Sequence, residues 1–180
     1  MNTVTIDFET YYSVKRGGEK YSLTRMTIEE YLNDPRFQIL GCSTKVAQNE
    51  AQFVSGPNLK DHLASIDFST SALIAHNAIF DASILLWKFP QIQKPRLYIC
   101  TMALSRLVDG VLGGPKHSLS ACAERHDLGV KGDELFRTDN KRLEDFDEEA
   151  MQKLGAYCCN DTELTYKLYK VLLGELYGQS

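Results

Sequence analysis

Thr3-Val4-Thr5-Ile6-Asp7-Phe8-Glu9-Thr10 is the stretch on which the reading of this chain turns. It is rich in β-branched and aromatic residues, so positions 3–8 are expected to form a strand ending near Glu9. Side chains two apart in a strand leave on the same face, so Asp7 and Glu9 project together. Like charges on one face repel, and neither is cheaply buried alone. A hard divalent cation between them removes both costs, because Mg²⁺ and Mn²⁺ take oxygen ligands. Taken alone, the pair reads more simply as two solvated acids at an exposed strand end.

Outward from this strand, residues 11–25 are polar and carry Gly17-Gly18 with Lys15, Arg16, Lys20 and Arg25, which reads as a long basic loop. Thr27 and Glu30 suit a capping box opening a short helix to about Asn33. Strands are expected over Phe37 to Val46 and Ala51 to Val54, joined by a turn at Gln48-Asn49. Pro57 then suits the first turn of a helix reaching about Ser65. Ser71-Ala72-Leu73-Ile74-Ala75 is an apolar run suited to a buried strand. Residues 79–89 place Ile79, Ile84, Leu85, Trp87 and Phe89 among polar positions, as a helix packed on a sheet does. Leu97 to Cys100 is a further strand. Thr101 is the expected cap of a helix through Leu107, and Ser118 of one from Leu119 to His126. Gly110 to Lys116 reads as loop, and residues 127–146 as mostly irregular and charged. Asp147 caps a final helix whose apolar pattern runs from Leu154 to Leu172. This order describes an α/β domain with a mixed central β-sheet flanked by α-helices. No repeat or linker divides it, so residues 1–180 are expected to be a single domain.

Composition narrows the chemistry. A net charge of −4 argues against holding nucleic acid by bulk electrostatics alone. It does not argue against an enzyme that meets nucleic acid through bound cations, whose charge a residue count omits. The odd count of 5 cysteines shows no repeated CxxC spacing, which suits reduced thiols acting as small buried hydrophobes. No apolar run approaches the roughly 20 residues of a membrane span, and no signal-peptide pattern opens the chain. A cytoplasmic location, in a bacterium or a phage-infected host, and no membrane partner are expected.

Two further features carry acids. His76-Asn77-Ala78-Ile79-Phe80-Asp81 follows the apolar strand, which places Asp81 in a first helical turn beside that strand's carboxyl end. Ligands of open α/β sheets collect at such edges, although a first-turn acid also simply favours the helix dipole. Tyr157-Cys158-Cys159-Asn160-Asp161 lies within the last helix, where Tyr157 and Asp161 share a face. Aspartate is a poor mid-helix residue, which hints at a use for its side chain. His76, His117 and His126 show no spacing that suggests a ligand set.

Together, Asp-x-Glu-Thr at 7–10, Asn-x-x-Phe-Asp at 77–81 and Tyr-x-x-x-Asp at 157–161 resemble the three motifs of the DEDD exonuclease superfamily, in the right order and roughly 70 and 80 residues apart. Ala156 and Tyr157 stand where the two branches of that superfamily differ, and the tyrosine makes the chain resemble the DEDDy branch. The run from Thr101-Met102 through Ser118-Leu119 and Ala121 is similar to the proofreading domains of family A, phage-type DNA polymerases. Cys100 departs from the acid found at its position in many relatives and touches none of the four ligands.

The resemblance implies a ribonuclease H-like fold and 3′–5′ hydrolysis of DNA to nucleoside 5′-monophosphates with two divalent cations, Mg²⁺ or Mn²⁺. It implies Asp7, Glu9, Asp81 and Asp161 as metal ligands, with Asp7 between the ions, Glu9 and Asp161 on the one that activates water, and Asp81 on the other. Tyr157 would orient the attacking water, Thr10 and Asn77 would touch the terminal nucleotide, and Phe8 or residues of the 11–25 loop would help separate or stack the 3′ end. Phosphate contacts are expected from Lys15, Arg16, Lys20 and Arg25, or from Arg137, Lys141 and Arg142. The expected partners are single-stranded DNA or frayed 3′ ends, with RNA as an alternative, and a DNA polymerase domain or subunit in proofreading. A ribonuclease D-like RNA exonuclease shares the motifs, and a non-catalytic nucleic-acid-binding or polymerase-docking domain shares the scaffold. The presence of all four acids and the tyrosine favours an enzyme over the latter.

Overall fold

The structure is a computed structural model that describes residues 1–14, 20–110, 116–130, 132 and 138–178. In chain order its elements are β1 (Asn2–Thr10), α1 (Ile28–Asn33), β2 (Ile39–Val46), β3 (Gln52–Val54), α2 (Leu59–Ala64), β4 (Ser71–Ala75), α3 (Ala78–Lys88), β5 (Leu97–Cys100), α4 (Thr101–Asp109), α5 (Leu119–Arg125) and α6 (Glu148–Leu176). The strands form one mixed sheet of order β3-β2-β1-β4-β5, in which β1 is central. β1 runs antiparallel to β2 and parallel to β4, and β4 runs parallel to β5. The expected α/β architecture with helices flanking a mixed sheet is what the chain adopts.

Alternation along β1 sorts its side chains between two layers. Val4, Ile6 and Phe8 are buried in the larger core with Tyr31, Leu32, Leu63, Phe68, Ile84 and Leu85 from α1, α2 and α3 and the turn after α2. Thr5, Asp7 and Glu9 take the opposite face, where Cys158 of α6 reaches Asp7. All five residues of β4 are buried, which explains why it reads as an unbroken apolar run. A second, smaller core of Leu119, Cys122, Ala123, Leu164, Leu168 and Leu172 joins α5 to α6.

Small residues let α6 lie close to the sheet. An added Cβ at Gly41 would stand 2.1 Å from Cζ of Phe53, and one at Gly155 would stand 2.8 Å from Cδ1 of the same ring. The Phe53 ring is thus confined between β2 and α6. Along the helix axis, Lys45 fixes the level of α6 by pairing with Glu163 at 2.9 Å, and Glu163 also accepts from the Ala51 N–H at 3.0 Å. Gly155→Ala should therefore destabilise the fold by about 1–3 kcal/mol through overpacking. That outweighs the roughly 1 kcal/mol of helix propensity alanine adds. An unchanged or raised melting temperature would show that the ring has room to move.

Local signals resolve in detail. The Thr27–Glu30 capping box forms, and Asp147 caps α6 by accepting from the Ala150 N–H at 2.8 Å. Thr101 is not a cap: it is the first residue of α4, and its hydroxyl meets His76 Nδ1 at 2.9 Å. Pro57 falls in a 3₁₀ turn, Gly56–Asn58, ahead of α2. Among the described residues after β1, the Tyr21 ring stacks on Tyr31 at 4.4 Å and on Tyr11 at 5.7 Å, which ties both ends of the expected loop to the fold. Gly17-Gly18 and Gly113-Gly114-Pro115 lie outside the described residues. All five cysteines are free thiols, and no helix among the described residues is long and apolar enough to cross a membrane.

Candidate metal centre and active site

The acids gather where β1 outruns its parallel neighbour. β1 pairs with β4 only from Asn2 to Thr5, so its later backbone groups on that side need other partners. Asp81, in the first turn of α3, supplies one, its Oδ1 accepting from the Phe8 N–H at 3.0 Å. The Asp81 side chain is buried, and burial first, then the Asp7 charge, pushes its pKa well above the usual carboxylate value. The turn before α3 is held by His76, whose Nε2 donates to the His117 carbonyl at 2.9 Å. Asn77 follows with φ 68°, a left-handed conformation that asparagine tolerates.

From the other layer, α6 brings Cys158 onto the same spot. Its thiol donates to the Asp7 backbone carbonyl and carboxylate, both at 3.4 Å. One ligand atom each from Asp7, Glu9 and Cys158 lies within 4.8 Å of the others. Asp161 stands one helical turn after Cys158 and is buried, so both share the inward face of α6. Tyr157 is half-buried beside them. Gly132 lies against its ring, so close that an added Cβ would come within 3.2 Å of Cδ2. Burial, then the Asp7 and Glu9 charges, raises the Cys158 thiol pKa well above its ordinary value.

This donor set fits a divalent cation. Three carboxylates crowd one end of a central strand, and burial together with the charge of Asp7 disfavours ionisation of Asp81. A hard dication reverses that balance, and the predominance of oxygen suits Mg²⁺ or Mn²⁺. Cys158 is the residue the sequence reading treated as filler. Its only signal there was its place between Tyr157 and Asp161.

Two expected substrate contacts need correction. The Phe8 side chain points away from the acids, buried and stacked on Phe89 at 6.2 Å, because alternation sends it to the opposite face from Asp7 and Glu9. Thr10 follows a register shift in β1, is buried, and meets the Tyr31 phenol oxygen with its hydroxyl at 2.9 Å. Among the basic residues, Arg142 lies over the Tyr11 ring at 4.2 Å and Lys141 over Phe146 at 5.8 Å. Lys20 and Arg25 are exposed. Lys15, Arg16 and Arg137 lie outside the described residues.

No protein-family model matches the chain, and no curated protein matches its sequence. Solved structures do match its shape. One described as the apo form of the nuclease superposes with a TM-score of 0.61 at 18% identity, over 98% of this chain and 75% of that one. Brucella melitensis NrnC gives a TM-score of 0.60 at 20% identity, over 99% and 76%. The chain shares their fold. The expected ribonuclease H-like α/β arrangement holds, and the acids sit on its central strand and on the helices packed at that strand's carboxyl end.

Proposed function

We propose that this chain is a metal-dependent 3′–5′ exonuclease that trims unpaired nucleic-acid ends. The observation that supports this most is the meeting of Asp7 and Glu9 from β1 with Cys158 from α6, one ligand atom of each within 4.8 Å of the others, with Asp81 from α3 near enough for the Asp7 charge to raise its pKa and Asp161 buried one turn after Cys158. Asp7, Glu9, Asp81 and Asp161 are the residues that would hold two divalent cations, Mg²⁺ or Mn²⁺. When bound, such ions generate a nucleophile near neutral pH and stabilise charge on the attacking and leaving oxygens. The protein supplies the rest. β1 fixes Asp7 and Glu9 through its pairing with β2, and the Phe8 N–H fixes Asp81. Tyr157 orients the attacking water through its phenol, because a group with an ordinary pKa of about 10 is a hydrogen-bonding partner at neutral pH and a poor base. Water adds at phosphorus, the bond to the 3′-oxygen breaks, and a nucleoside 5′-monophosphate leaves.

Tyr157→Phe should lower kcat by about 10²-fold, the low end of what a positioned proton-handling group contributes. Its Mn²⁺ affinity by calorimetry should match wild type. A loss of metal affinity equal to the loss of rate would assign Tyr157 to the metal site instead.

DNA is the substrate proposed, and a DNA polymerase domain or subunit is the partner that proofreading would need. Thr101, Ser118 and Leu119, which prompted the comparison with proofreading domains, are engaged in the fold: Thr101 with His76, Ser118 as cap of α5, Leu119 in the second core. The sugar is therefore decided by assay. Matched 5′-labelled single-stranded DNA and RNA with Mg²⁺ should shorten stepwise from the 3′ end, DNA faster. Faster RNA trimming would assign a ribonuclease D-like role, internal cuts in circular DNA an endonuclease, and binding without cleavage a docking domain.

A further inference from the structure

A second cluster of metal-ligating side chains lies far from the acids. Glu175 stands about 21 Å further along α6 than Asp161, at ~1.5 Å per helical residue. There the last residue of α4, Asp109, the C-cap of α5, His126, and Glu175 in the last turn of α6 come together. One ligand atom from each lies within 4.8 Å of the others.

The histidine carries the argument. Its side chain is 9% exposed, and Nε2 is fully buried with no hydrogen-bond partner. A buried polar nitrogen left so carries its full desolvation cost. Nε2 faces Asp109 Oδ1 at 3.5 Å, and Nδ1 faces Glu175 Oε1 at 3.5 Å. The Nε2–Asp109 separation is long for a hydrogen bond and close to the spacing of two ligands each about 2.0–2.1 Å from one tetrahedral ion. A ring holds one ion through one nitrogen, and Glu175 joins within the 4.8 Å that the three ligand atoms share. The other Asp109 oxygen, Oδ2, is taken by Arg125 at 2.6 Å, which leaves Oδ1 available. Two carboxylates against one guanidinium leave a net negative charge beside the imidazole.

We propose that Asp109, His126 and Glu175 form a structural site for a borderline divalent metal, Zn²⁺ foremost, that clamps the C-terminal ends of α4, α5 and α6. One nitrogen with two carboxylate oxygens favours Zn²⁺ over Mg²⁺ or Ca²⁺, and water completes the fourth position. The clamp closes the end of the second core and braces the helix that carries Tyr157 and Asp161.

Calorimetry with Zn²⁺ alone tests this in the full-length Asp7→Asn/Glu9→Gln protein, where the acidic centre is disabled. One equivalent should bind at micromolar concentration or tighter and raise the melting temperature. Adding His126→Gln, or the exposed and fold-neutral Glu175→Gln, should weaken binding at least tenfold and abolish the shift in melting temperature. Unchanged binding in both variants, or no binding in the background protein, overturns the proposal.

Discussion

Asp7→Ala should lower exonuclease turnover about 10³-fold while leaving the fold intact. Asp7 couples to both layers that flank it: its charge raises the pKa of Asp81 on α3, and its carboxylate accepts from Cys158 on α6 at 3.4 Å. A carboxylate that would hold the metal would, when lost, take several kcal/mol of transition-state stabilisation with it, and each ~1.4 kcal/mol is a tenfold change in rate. Alanine also removes a charge from a cluster in which charges repel, so thermal stability without metal should hold or rise. Circular dichroism melts in EDTA and single-turnover trimming in Mg²⁺ read the two effects separately. Turnover within tenfold of wild type would remove Asp7 from the metal site and the exonuclease reading with it.

Asp81→Asn should move stability and activity in opposite directions. The folded-state pKa of Asp81 lies above the unfolded value of about 3.9. The folded protein therefore holds this proton more tightly than the unfolded chain. Its contribution is fully present below about pH 3.9 and is lost as pH rises through that value toward the folded-state pKa. At neutral pH the metal-free wild type bears that cost, whereas asparagine has no charge to bury and keeps an oxygen for the Phe8 N–H. In EDTA at pH 7 the variant should melt a few degrees above wild type, with the gap closing as pH falls toward 4. Saturating Mn²⁺ should close the gap from the other direction by stabilising the wild type. Activity should drop about 10²-fold, the upper end of what a group supporting a metal site contributes. A variant that melts below wild type in EDTA at pH 7 would show that the buried carboxylate stabilises this fold.

The sites differ in how far sequence exposes them. Asp7 and Glu9 are legible because strand alternation has a period of two, and the same rule would have excluded Phe8 as a neighbour of theirs. Tyr157 and Asp161 are legible from helix spacing. Cys158 is not, because a buried cysteine reads as filler until the element it faces is known. His126 is less legible still: Asp109, His126 and Glu175 are separated by long stretches that no ligand spacing spans, and only the ends of three helices bring them together.

By itself the sequence determined the order and type of the elements, the face of β1 that carries acid, and the shared face of Tyr157 and Asp161. These depend on local periods of backbone geometry that a linear string records. Tertiary structure alone decided which layer covers that face and that Asp81 binds the Phe8 N–H where β1 outruns β4. It also decided that Gly41 and Gly155 admit Phe53, and so let α6 approach closely enough for Cys158 to touch Asp7. Those outcomes depend on register and packing between segments far apart in the chain, and no local period encodes them.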